Sequence, residues 1–203
     1  MAAAREALRP LFAFMERRPL PFGIGLCFLK GTACDFLVQR YVETQRSLSY
    51  KRMLVFGTFS AVFCGMWQYA LFVKLMPRLC PGAEMFVSKP FHEKVRDGAG
   101  LRNLAKQVFI ENGFNNGLLY FPIFYSVQTA LEKGSIVKGV HEAPRKYLAN
   151  AHTDVPDIWK VWVPVQAFNF AFSPLWLRVP LTACVSAFWT GYVSLKRGAY
   201  DGI

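Results

Sequence analysis

The chain has 203 residues, 53% of them hydrophobic, with a positive mean hydropathy of +0.22 and a formal net charge of +11. That length is room for one compact domain, and that apolar share exceeds what a soluble domain usually carries. The basic excess is spread over all the loops with no dense basic arm, which excludes a nucleic-acid arm and points to lipid head groups.

The first 18 residues read as a short basic amphipathic helix, with Arg5, Arg9, Arg17 and Arg18 alternating with Leu8, Leu11, Phe12 and Met15. This predicts an interfacial helix leading into the first span. It is also a candidate uncleaved mitochondrial address, although Glu6 and Glu16 are acids of the kind such segments avoid.

Residues 20–40 form the first predicted span, interrupted by Lys30 and Asp35. Lys30 is placed to snorkel to an interface. The second span covers residues 53–76, of which 53–73 hold no charge. Residues 77–103 form a polar connector, rich in Pro and Gly. A third span covers residues 104–131, uncharged from 113 onward. Residues 132–158 are a second polar connector, and 159–195 a last apolar segment whose only charge beyond residue 160 is Arg178. About 20 apolar residues cross a ~30 Å hydrocarbon core, and soluble helices of that length would show a polar stripe. Pro164, Pro174 and Pro180 leave the last segment as one kinked helix or two short ones turning near Arg178. The expectation is therefore an all-α, multi-span transmembrane bundle of four to five spans. It has an amphipathic lead at 1–18 and a single domain at 19–203. Lys and Arg divide almost evenly between the two sides of a five-span arrangement, so no orientation follows.

Nothing points to catalysis. His92, His141 and His152 fall in connectors without ligand spacing, and no phosphate loop or nucleophile elbow is present. The five cysteines form no CxxC, which argues against a zinc site or a disulfide framework. No catalytic residue, metal or cofactor is expected.

Two rows of small residues recur at four-residue spacing, Gly57, Ala61 and Gly65, and Ala183, Ala187 and Gly191. Such rows let helix backbones approach closely. Polar residues inside spans are costly and normally face a partner or a wet cavity. Gly31, Asp35 and Gln39 share one face; Trp162, Gln166, Asn169 and Phe170 share another, with Arg178 beyond; the third span offers Glu111, Asn115, Asn116 and Gln128. Asp35 with Arg178 is the expected internal pair. Asp35, Gln39, Gln166, Asn169 and Arg178, with Glu111 second, either line an aqueous path or fix helix register. Trp159, Trp162, Trp176, Trp189 and Tyr192 read as an interfacial belt.

The stretch WVPVQAFNFAFSPLWLRV, followed by WTGYVSLK, resembles the signature of the Mpv-seventeen and peroxisomal membrane protein family. The matching residues are Trp162, Gln166, Asn169, Phe170, Pro174, Arg178, Trp189, Tyr192 and Ser194. Asp35, Gln39 and Glu43 are similar to the family's opening motif, with Cys34 where a Gly is usual, and Trp67, Tyr69 and LMPRLCPGA resemble its second-span end. Ile110 and Glu111 stand where the family has Asp-Gln, and Pro164 is shifted by one position, so the likeness is to a divergent member. The resemblance implies a small multi-span protein of the mitochondrial inner membrane, or alternatively of peroxisomes. It implies channel-like passage of small solutes, a link to mitochondrial DNA and nucleotide pools, and no enzymatic activity. The alternative is a non-catalytic accessory subunit of a larger mitochondrial membrane complex. Expected partners are membrane lipids, with anionic cardiolipin as a candidate, and a homo-oligomer or a larger assembly, without nucleic acid.

Overall fold

The computed structural model describes the backbone of residues 2–43 and 47–200, and side chains at residue 6 and at residues 9–43 and 47–190. Every regular element among the described residues is helical. The chain folds as two compact units. One comprises Met1–Arg78 and Ser173–Ile203, the other Leu79–Phe172.

The first unit holds α1 (Ala2–Arg17), α2 (Pro19–Val42), α3 (Tyr50–Leu79, all but its last residue) and α8 (Leu175–Tyr200). Pro19 at the first helical position starts α2 afresh after Arg18, because proline's fixed φ suits that position and its missing N–H is not needed there. Ser49 caps α3, its hydroxyl accepting from the Arg52 amide. The 24 residues of α2 and the 30 of α3 are long and apolar enough to cross a membrane. Their most apolar windows are only 22% and 39% buried, so both present apolar surface outward, as lipid-facing helices do. They are the two candidate spans that length and composition support among the described residues.

Small residues bring these helices together. A Cβ placed on Gly31 of α2 would lie 2.7 Å from the Phe56 carbonyl oxygen and 2.7 Å from Ser60 Cβ of α3. One on Gly65 of α3 would lie 2.8 Å from Ile24 Cα of α2. On α2, Gly23, Cys27, Gly31 and Asp35 form the buried row. On α3, Gly57, Ala61 and Gly65 are buried against it. Helix α8 adds Val179 beside Gly23, at 3.2 Å from a Cβ there, and buried Ala183. The Ala187 carbonyl accepts from Cys34 Sγ at 3.9 Å. The surroundings of Gly191 lie outside the described residues. Helix α1 meets α8 through an edge-on contact of Phe12 with Trp176.

The second unit holds α4 (Ala83–Ser88), α5 (Phe91–Arg96), α6 (residues 98–133) and α7 (Ile136–Phe172). The middle of α6, Ile110–Tyr120, is wound as a π-helix. Gly134, at φ 63°, turns the chain between α6 and α7, and Gly139 lets α7 close on α6, since a Cβ there would stand 2.6 Å from the Ser126 carbonyl. Phe121, Tyr125 and Tyr147 stack within this hairpin. The Tyr147 hydroxyl donates to the Gly117 carbonyl at 2.7 Å, and the Tyr125 hydroxyl donates to Asp154.

The polar connector at 132–158 is thus mostly the first half of α7. Pro144, Pro156 and Pro164 sit inside this helix. All three are exposed, so each ring and each missing hydrogen bond falls on the outward side, and the helix continues past them. The last apolar segment is two helices. The break falls at Ser173 and Pro174, ahead of Arg178, because the residue before a proline is pushed out of the helical region.

Asp97 caps the first turn of α6. Its carboxylate accepts from the Gly100 amide at 2.9 Å and from Lys89 Nζ at 2.7 Å. The Lys89 ammonium first, and the Gly100 amide second, hold this carboxyl below its usual range. A depressed folded-state pKa stabilises the fold above the unfolded value of ~3.9, and that contribution disappears as pH falls through the lower folded value. Amide exchange at Gly100 is therefore expected to rise above its intrinsic acid dependence under strongly acidic conditions. Asp97→Asn, which keeps the cap and lacks the titration, should remove that extra dependence.

Candidate functional site: buried polar clusters in the two units

The six polar candidates divide between the units, with Asp35, Gln39 and Arg178 in the first and Glu111, Gln166 and Asn169 in the second. All six are buried.

In the first unit, the final turn of α2 and the first turn of α3 face each other across their short connection. Gln39 bridges them: its amide nitrogen donates to Asp35 Oδ2 at 2.7 Å, and its oxygen accepts from the Ser49 amide at 2.7 Å. Arg52 completes the cluster. Its Nε donates to Asp35 Oδ1 at 2.8 Å, and its two Nη groups donate to the two Glu43 oxygens at 2.8 Å each. This is the fork geometry that suits guanidinium and carboxylate.

The expected pair of Asp35 with Arg178 is not the one formed. Asp35 is paired with Arg52. The guanidinium of Arg178 donates to backbone carbonyls, to Phe72 through Nη1 and to Ser173 through Nε, both at 3.4 Å. Phe72 lies in a π-wound turn, Ala70–Leu75, where a carbonyl would accept from the residue five places on. That residue is Pro77, which has no N–H, and the Met76 amide goes to Leu71. A proline in α3 thus leaves a carbonyl for Arg178 of α8. Lys30, expected to snorkel, is half-buried and donates to Ser186 Oγ at 3.0 Å.

In the second unit, π winding turns Glu111, Asn112, Asn115 and Asn116 inward together. Asn115 donates to Glu111 Oε2 at 2.9 Å, and Asn112 donates to the Val108 carbonyl at 3.0 Å. On α7, Asn169 donates to Gln166 Oε1 at 3.1 Å. The Gln166 amide nitrogen and the Trp162 indole N–H are buried, and no acceptor is paired with either among the described residues. Buried donors of this kind are costly without an acceptor. Trp162 is therefore a buried member of the cluster, whereas Trp159 is partly exposed and donates to the Asn112 carbonyl at 3.0 Å. Gln128 is half-buried. Tyr192 and Ser194 have side chains outside the described residues. Among the described residues no three His, Cys, Asp or Glu gather in a way that could hold a metal ion.

Arg52 was missed by sequence reasoning, which counted it as a loop charge. The available signal was the shortness of the turn between two spans, which sets charges on either side of it face to face.

Residues 153–194, which carry Trp162, Gln166, Asn169 and Arg178, match the Mpv17 / PMP22 family. Over those residues the chain is similar to that family, as a divergent relative of it. Protein SYM1 of Mycosarcoma maydis is 28% identical over 107 residues, 53% of this chain and 51% of that protein. Protein SYM1 of Kluyveromyces lactis is 30% identical over 76 residues, 37% of each chain. An uncharacterized protein of Schizosaccharomyces pombe is 49% identical over 39 residues, 19% of this chain and 18% of that protein. The chain thus matches about half the length of the first of these relatives and less of the other two. No solved structure matches it. The two apolar, outward-facing helices, together with the likeness to the Mpv17 / PMP22 family over residues 153–194, support a membrane protein.

Proposed function

We propose that the chain forms a bundle of four to five membrane spans with channel-like passage of small solutes, in which the buried polar residues of each unit, taken by itself, are the groups a solute would meet. The observation that carries this reading is an inversion of the usual polarity. Gln39, Glu111, Asn115, Gln166, Asn169 and Arg178 are at most 1% exposed, while Leu29, Leu37, Leu54, Phe109, Leu118 and Phe188 are turned outward. Intramembrane polar groups are expensive, and in number they mark pathways. The unpaired donors on Trp162 and Gln166 suit water or a solute's oxygen atoms. The family resemblance and the arginines of the lead segment support the mitochondrial inner membrane as the location.

The test is planar-bilayer conductance of the purified chain. Gln166→Leu should lower unitary conductance several-fold, and Glu111→Gln should shift cation preference, with both proteins recovered at wild-type abundance. Loss of folded protein in both, with no change in the conductance of what remains, would make these residues helix glue only.

One feature favours the accessory-subunit reading. Met85, Phe91 and Val95, on the short helices α4 and α5, are 71%, 69% and 57% exposed. Native electrophoresis after mild detergent extraction separates the two readings. Migration as a single chain or small homo-oligomer supports the channel; migration in a large complex of fixed stoichiometry supports the subunit.

A further inference from the structure

Helix α7 has a face that its own unit leaves uncovered. In its first half, Gly139 and Ala143 are buried. Ile136, Val137, Val140 and Leu148 are 77%, 79%, 60% and 73% exposed. At 3.6 residues per turn these four fall within about one third of the helix circumference. Lys138 and Arg145 lie along one border of that arc, and Lys133 precedes the turn into the helix. Lys146, the other cation of this stretch, is taken by Glu132 at 2.6 Å. Lys133, Lys138 and Arg145 have no acidic partner among the described residues, and Glu142, half-buried, is the one other acid in this stretch.

Length constrains where this face lies. Helix α7 has 37 residues. That is ~55 Å, against a hydrocarbon core of ~30 Å, so wherever the helix sits, roughly 17 of its residues are outside the core. The first half, with Lys138, Glu142, Arg145 and Lys146, is the more charged and the one least suited to the core. Exposed aliphatic side chains bordered by cations along one helix face match the boundary between acyl chains and anionic head groups.

We propose that residues 136–148 of α7 rest on an anionic lipid surface. Ile136, Val137, Val140 and Leu148 enter the acyl boundary, and Lys138 and Arg145 meet lipid phosphates. The proposal requires only that the chain is embedded in a membrane, and holds whether or not it conducts.

The test places an environment-sensitive fluorescent amino acid at residue 137 of the full chain, with residue 138 as the matched control. The proteins are reconstituted into phosphatidylcholine vesicles with and without phosphatidylglycerol. With phosphatidylglycerol, the probe at 137 should emit further to the blue, be quenched by brominated acyl chains and resist aqueous iodide. The probe at 138 should do the reverse. Each cation near an anionic surface strengthens partitioning about fivefold, so Lys138→Gln with Arg145→Gln should lower the inserted fraction ratio at 137 about 30-fold. Both positions are exposed, so these changes leave the fold intact. Equal iodide quenching at 137 and 138 would overturn the proposal. So would shielding from iodide without quenching by bromolipid, which would mean a protein covers the face. Insertion that is the same without phosphatidylglycerol would overturn the recognition of anionic lipid.

Discussion

Gly65→Leu is expected to abolish accumulation of the folded protein. The Cβ alone would come within 2.8 Å of Ile24 Cα and 3.3 Å of the Gly23 carbonyl. These are backbone atoms, so no neighbouring side chain can yield, and the helices themselves must part. Overpacking in a close-packed interior costs about 1–3 kcal/mol even where side chains can adjust. Here the cost should be at least the upper figure, a large share of the ~5–15 kcal/mol that folded domains have in hand. Gly31→Leu should behave alike, being 2.7 Å from the Phe56 carbonyl. Gly25, two residues after Gly23 on the same helix, has nothing within 4 Å of a Cβ. Gly25→Leu should therefore accumulate normally. Detergent-extracted yield and size-exclusion profile of the three variants check this. Equal yields would show that α2 and α3 do not meet at Gly31 and Gly65.

Arg52→Ala should have the second-largest effect. It strands Asp35, whose side chain is 5% exposed, beside a half-buried Glu43 at 32%. Removing one partner of a buried pair costs about 3–5 kcal/mol, and the partial exposure of Arg52 places this case near the lower figure. The loss should be recovered in large part by Arg52→Gln with Asp35→Asn and Glu43→Gln, which removes the charges while keeping hydrogen-bonding groups. Arg178→Gln should not be rescued by any change at Asp35, because its donors go to the carbonyls of Phe72 and Ser173. Thermal unfolding in detergent, followed by tryptophan fluorescence, measures each. Rescue of Arg178→Gln by Asp35→Asn would restore the pairing that the sequence suggests.

Much of the packing was legible because it is periodic. Gly57, Ala61 and Gly65 announced a contact row by spacing alone. The facing row was half-read: Gly31 was grouped with Asp35 and Gln39 as a polar face, and its role in letting Phe56 approach was not evident without the neighbouring helix. The polar residues were found because charges and amides stand out in apolar runs, but their partners depend on which helices become neighbours. Asp35 thus lay closer to Arg52, across one short turn, than to the more conspicuous Arg178. The π-wound segments leave no periodic signature, since a fifth-residue bond changes the face presented by the same amino acids. Prolines misled the reading of residues 132–158, because sequence does not say whether a proline's missing donor falls on the inner or the outer side of a helix. At Pro174, preceded by Ser173, the sequence leaves a kink and a break equally open, because a proline is compatible with both.

The first unit is assembled from two stretches of chain, Met1–Arg78 and Ser173–Ile203, with the whole second unit between them. During synthesis, therefore, α2 and α3 emerge and pair about a hundred residues before α8 exists to cover Gly23, Lys30 and Cys34. At typical elongation rates this is roughly 5–20 s in which the face of α2 meant for α8 is open to lipid or to an insertion factor. Throughout that interval the cation at Lys30 lacks Ser186, the partner it has in the folded unit.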